Sequence, residues 1–227
     1  MIIRILFFCF PLFCFSQNFI DENQYKQGKW IQKHPNGQLR YEGSFIDDKP
    51  TGIFNYYTEK GVLKANLEFF NDGNASSARL YYSNGQLSAT GVYVGKSKDQ
   101  LWKYFNRKGI LIKVENYKDT LLNGEVIIYY ANGEKLQEFF YVNGLKQGSS
   151  KQYYNNGNVK FVRNYVNDTL QGEHKSYYSN GTIEYEASYL NDNKHGVWKY
   201  YKQDGELDYE IEFSNGIRLT TFDEEKR

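Results

Sequence analysis

The chain has 227 residues, with 28 lysines and arginines against 27 aspartates and glutamates, for a formal net charge of +1. So balanced a chain offers no global attraction to nucleic acid or to an anionic membrane surface. Aromatic residues make up 18%, with 22 Tyr and 16 Phe against one Met and three Pro. That bias favours strands over helices and lets thin layers bury enough apolar area to fold.

Met1 to Arg4 is a short basic start, Ile5 to Phe15 is almost continuously apolar, and Cys14-Phe15-Ser16 supplies the small-x-small pattern read by a signal peptidase before Gln17. An apolar run of about 11 residues is too short to span a bilayer as a helix, and residues 1–16 have the form of a secretory signal peptide. The expectation is an exported protein (periplasm, cell surface or secreted), cleaved near Ser16/Gln17, with no transmembrane helix in the mature chain. Cys9 and Cys14 leave with this segment, so the mature chain has no disulfide, thiol nucleophile or thiolate metal site. Losing Arg4, its one charged residue, takes the formal charge from +1 to 0.

Residues 17–27 read as a polar lead-in. From residue 28 to 219 a glycine recurs every 24 residues: Gly37, Gly61, Gly85, Gly109, Gly133, Gly157, Gly181 and Gly205. An aromatic residue stands eight positions after each: Phe45, Phe69, Tyr93, Tyr117, Tyr141, Tyr165, Tyr189 and Phe213. Two columns held at one period define an array of like units, here eight, and one elongated domain. Gly28, Gly52, Gly124, Gly148, Gly172 and Gly196 open six of the units, while Ser76 and Gln100 take that place in the third and fourth. The charged tail 220–227 falls outside the pattern and is expected to be loose.

Within a unit the recurring glycine follows Asn in five copies, as in Asn36-Gly37 and Asn156-Gly157. Asn-Gly between apolar runs signals a hairpin, because both residues tolerate the positive φ of a type I′ turn. The strand before the turn carries adjacent aromatics such as Tyr56-Tyr57 and Tyr200-Tyr201. Adjacent residues point to opposite faces, so either both faces are covered or a bulge shifts the register. The strand after the turn alternates, as in Leu63, Ala65, Leu67 and Phe69, which marks it as half-buried. A polar connection such as Asn191 to Gly196 then leads to the next unit. The predicted fold is all-β: an elongated antiparallel array of eight 24-residue β-hairpin repeats.

Trp30, Phe54, Trp102 and Trp198 share one column near the start of their units. Large apolar residues in a regular column are usually packing residues, and the alternative is a row of aromatic platforms contacting a sugar or a peptide. His34, His174 and His195 fall in different columns and form no ligand set. No nucleophile–base order, glycine-rich phosphate loop or paired carboxylates stands out, so no catalytic, cofactor-binding or metal residue is assigned and no cofactor is expected.

The glycine period, the Trp-x-Tyr strand of Gly196-Val-Trp-Lys-Tyr-Tyr, the turn glycine and the closing aromatic together resemble the bacterial variant of the MORN repeat over 28–219. The pattern is similar to that of the YwqK-like antitoxin family. Ser76, Gln100, and Ala78, Val126, Ser150 and His174 in the Trp column depart from it, and those copies are expected to pack less tightly. The resemblance implies a protein that neutralises a partner toxin by binding it. The residues themselves point to a non-catalytic exported interaction or scaffolding module whose partner is another protein, with a glycan or cell-wall polymer as the further candidate ligand.

Overall fold

The structure, a computed structural model, describes residues 17–219. The signal peptide expected over 1–16 and the tail expected over 220–227 lie outside the described residues. Regular structure among the described residues is entirely strand, nineteen in all, with no helix. The chain divides into two compact units, meeting in sequence at Ala75/Ser76, where the sequence predicts one elongated domain. The division falls in the copy where Ser76 replaces the opening glycine.

In the first unit β1 (Phe19–Ile20), β2 (Lys26–Lys33), β3 (Leu39–Ile46), β4 (Lys49–Tyr57) and β5 (Leu63–Phe70) pair antiparallel in sequence order. The second unit runs through β6 (Ala75–Tyr81), β7 (Leu87–Val94), β8 (Ser97–Phe105), β9 (Leu111–Lys118), β10 (Leu121–Tyr129) and β11 (Lys135–Val142). It continues with β12 (Leu145–Lys146), β13 (Gly148–Tyr153), β14 (Val159–Val166), β15 (Thr169–Tyr177), β16 (Ile183–Leu190), β17 (Asn193–Tyr201), β18 (Leu207–Ser214) and β19 (Ile217–Arg218). From β7 to β12 and from β13 to β19 consecutive strands pair antiparallel, and β12 and β13 both pair with β11 as successive segments of one strand, so from β7 onward the hairpins join in one continuous sheet.

The hairpins turn at the recurring glycine as the sequence predicts, but these turns are not the expected type I′. At the Asn-Gly turn only the glycine is left-handed, with φ between +77° and +92° down the column. Gly37 N–H donates to His34 C=O at 2.9 Å and His34 N–H to Gln38 C=O at 2.7 Å, a type I turn closed by a bulged glycine. Asparagine serves there through its side chain. Asn36 Oδ1 accepts from Gln38 N–H at 3.1 Å, and its Nδ2 donates to Glu59 C=O of the next copy at 2.8 Å. Type I′ turns lie instead in the supposed polar connection of several copies, where Asp47-Asp48, Asn167-Asp168 and Asn191-Asp192 each place two successive residues at positive φ. These turns bond back to the preceding copy: Asp168 N–H donates to Lys146 C=O at 3.0 Å, and Lys146 N–H to Asp168 Oδ1 at 2.8 Å. Residues 193–196, expected in the connection, belong to β17.

Both alternatives for the adjacent aromatics hold. Phe54 and Tyr56 stack on one face, while Tyr57 turns to the other and donates to Glu42 Oε1 at 2.7 Å. The register shifts between Tyr56 and Tyr57, and again between Tyr200 and Tyr201. The next position ties copies together: Tyr130, Tyr154 and Tyr178 each donate at 2.8 Å to a carbonyl 23 residues further on.

The lead-in is an ordered cap. Besides the β1–β2 pairing, Asn18 N–H donates to Lys29 C=O at 2.9 Å, and its amide exchanges bonds of 2.8 and 3.0 Å with the backbone of Ile31. Backbone groups along β2 that an edge strand would leave open are thereby paired.

Candidate interaction face

Within each unit, alternation along the strands places the Trp column and the closing aromatics on one face. Trp102 is 0% exposed, Phe54 2% and Trp198 3%, while Trp30 is half-buried. A Cβ at Gly91 would lie 2.2 Å from the Trp102 ring, and one at Gly43 2.4 Å from the Phe54 ring, so the strand opposite is glycine because the ring lies on its backbone. The indole N–H of Trp102 donates to Val92 C=O at 3.0 Å, and that of Trp198 to Ser188 C=O at 3.2 Å. The platform alternative for Phe54, Trp102 and Trp198 is thus corrected to packing: their ring faces are covered by the sheet.

The closing aromatics supply much of that cover. Phe45 and Phe69 meet the edge of Phe54, each with centroids 5.1 Å apart, Tyr93 meets Trp102 at 4.8 Å, and Tyr189 and Phe213 meet Trp198 at 5.4 and 5.5 Å. Tyr117 and Tyr141 stand beside Glu115 and Phe139 instead.

In each unit lysines lie over these rings, in the second unit as a row, and the sequence reading missed them. Lys26 Nζ is 5.3 Å from the Trp30 centroid, Lys98 5.0 Å from Trp102 and Lys194 4.2 Å from Trp198, while Lys146 is 4.9 Å from Phe139 and 5.2 Å from Tyr165. The aliphatic stems cover aromatic surface and the ammonium groups gain the ring quadrupole. The signal was readable, since each lysine stands two residues before the opening position of its unit.

The same face also encloses polar groups. Glu115, opposite Trp102 in register, is 8% exposed and has a full set of partners. Lys113 Nζ lies 2.8 Å from one carboxylate oxygen, and Tyr117 Oη donates to the other at 2.8 Å. Burial works to raise the carboxyl's pKa, but Lys113 and the hydroxyls of Tyr104 and Tyr117 outweigh it and hold it below its usual range. Burial and the same carboxylate push Tyr117 up to about 12. Two copies later the column reads Ser150, Arg163 and His174; Ser150 and His174 are each 2% exposed. Burial first, and the Arg163 charge second, push His174 down to about 4, so it is neutral near pH 7. Of the other histidines, His34 Nε2 lies 3.0 Å from Tyr57 C=O, and His195 is exposed on β17.

The opposite face carries an aliphatic ridge beside the type I′ turns. Val142 and Val166 recur at one position of successive copies, with Leu145 across the turn from Val142 and Leu121 on the neighbouring strand, and all four are exposed; Val94 holds the same position two copies before Val142, beyond Lys118. Further along that face run ion pairs, among them Lys175–Glu186 at 2.8 Å and Lys199–Glu210 at 3.6 Å.

Five segments of the chain match the MORN repeat variant: residues 26–47, 122–143, 146–167, 170–191 and 194–215. Each MORN segment spans one hairpin, from the lysine-row position to the first residue of the type I′ turn. The stretch between 48 and 121 keeps the strand pattern without matching, and it holds both departures at the opening position, Ser76 and Gln100. No curated protein matches the sequence. Among the described residues no group of three or more His, Cys, Asp or Glu could hold a metal ion, and no helix is long and apolar enough to cross a membrane.

Proposed function

We propose that this chain is a non-catalytic exported interaction module that binds another protein along its aliphatic ridge. The exposed row of Leu121, Val142, Leu145 and Val166 carries the reading. Contiguous apolar patches of this kind are uncommon on monomeric surfaces and mark places where a partner sits. MORN repeats commonly mediate protein or membrane interactions, and the neutral mature chain favours the protein.

The test compares the wild-type chain with a Val142→Asp/Val166→Asp double variant as bait in extracts of the source cells. A protein retained by the wild type and lost by the variant supports the reading. Retention of a wall polymer alone, or equal retention by both baits, sinks it. Full-length uncleaved chain in the cytoplasmic fraction would remove the export part. The finer antitoxin or immunity reading requires that the retained protein inhibit growth when expressed alone and that the chain relieve it. The glycan reading requires retention on a glycan array, on a surface other than the covered Trp column.

A further inference from the structure

Ser150 on β13, Arg163 on β14 and His174 on β15 stand in direct register across three adjacent strands. Neither ring nitrogen of His174, nor Ser150 Oγ, nor Arg163 Nε has a hydrogen-bond partner among the described residues. Aromatic rings fix the walls. Phe161 lies under the guanidinium, with Cζ 3.8 Å from its centroid, and His174 packs against Phe161, Tyr185 and Tyr189 at 6.0, 5.3 and 5.5 Å. Acidic groups nearby are committed elsewhere: Glu184 accepts from Ser176 Oγ at 2.7 Å, and Glu186 pairs with Lys175. Lys146, over Phe139 and Tyr165, adds a second positive charge to this stretch of the face. The protein has therefore gathered a guanidinium, a hydroxyl and an imidazole whose buried Nε, Oγ and ring nitrogens make no hydrogen bond among the described residues.

We propose that Ser150, Arg163 and His174 form a receptor for a carboxylate group. The guanidinium offers parallel N–H donors matched to a planar carboxylate, Ser150 adds a hydroxyl donor, and a neutral imidazole donates through one nitrogen. One full cation in the column calls for one negative charge, and flat aromatic walls suit a planar anion better than a tetrahedral one. The half-buried Arg163 is the side of the cluster that solvent reaches. The carboxylate comes either from a small molecule or from an Asp or Glu side chain of a polypeptide. The receptor does not rest on the proposed interaction role, because it uses the face opposite the aliphatic ridge.

The test follows the Arg163 Nε–H NMR signal and the melting midpoint of the full chain while sodium acetate replaces sodium chloride at constant ionic strength. A saturable shift with a rise in Tm is expected. Arg163→Met should abolish both, and Arg163→Lys should weaken binding roughly tenfold, because an ammonium cannot form the paired bonds. His174→Phe, which keeps a ring in the column, should also weaken binding and serves if an Arg163 variant fails to fold. Tighter binding of Ac-Gly-Glu-Gly-NH2 than of acetate assigns a polypeptide source, and the reverse a small molecule. A linear response, or an equal response in Arg163→Met, overturns the proposal. Inorganic phosphate binding more tightly than acetate overturns the carboxylate assignment.

Discussion

Two stretches of one column differ sharply in how their buried groups are satisfied. Trp102, Glu115 and Val126 occupy the same positions on three neighbouring strands as Ser150, Arg163 and His174 do two copies later. The first stretch buries a charge and gives it a lysine and tyrosine hydroxyls. The second buries polar atoms that make no hydrogen bond among the described residues. The repeat fixes which positions are enclosed, while the residues chosen for them decide whether enclosure favours stability. A stretch left unsatisfied at the centre of a regular array lowers stability in the way that binding sites commonly do.

Several measurements would sharpen or break this contrast. The largest effect is expected at Trp102→Ala, which empties the space over Gly91 and should lose about 3–5 kcal/mol in denaturant unfolding. Ser150→Ala, in the same column, should change stability by less than about 1 kcal/mol, since it removes a hydroxyl that bonds nothing. Equal losses at the two sites would break the contrast.

Next comes pH. His174 has its folded pKa depressed to about 4 from an ordinary 6.5, so the unfolded chain binds the extra proton first. Its contribution is present in full above the unfolded value and is lost as pH falls from 6.5 towards 4. The slope is about 1.4 kcal/mol per pH unit and the total about 3 kcal/mol. Glu115, whose folded pKa lies below the ordinary 4.5, loses its contribution only at lower pH. Urea midpoints across pH 4–7 should therefore slope in the wild type and flatten in His174→Phe. An unchanged slope would mean that the imidazole is not enclosed as described.

A smaller effect separates the two charges. Glu115→Gln should cost about 2 kcal/mol, because Lys113 and the tyrosine hydroxyls lose their ionised acceptor. Arg163→Met should be neutral or gain about 1 kcal/mol in the absence of anions, since an unpaired buried donor is replaced by an apolar chain. The smallest is Gln100→Gly. Gln100 holds φ +57° where six other copies have glycine, and the glycine should gain about 1 kcal/mol by removing the Cβ strain. A loss there would show that the glutamine side chain contributes more than its backbone costs.

Much of this was legible because a repeat exposes each position eight times. The glycine column announced its turns, and the alternation of Leu63, Ala65, Leu67 and Phe69 announced the enclosed face. The turn types were misread because asparagine has two uses, a tolerated positive φ and a side chain that bonds the backbone. Asn36 employs the second, and nothing local distinguishes them. The lysine row went unseen because a lysine two residues before a glycine reads as a solvated strand end. The ring it covers stands four residues on along the same strand, as with Lys98 and Trp102 on β8, across a shift of register that the local sequence does not announce.

The sequence by itself determined the period, the strand and turn positions, and the residue types that line each column. Those follow from backbone sterics and side-chain alternation, which act over a few residues. The tertiary structure decided which columns are buried, which way each aromatic faces, and which polar groups find partners. Those depend on cross-strand register, and register sets Arg163 beside His174 and Ser150 with no hydrogen bond among their buried polar atoms.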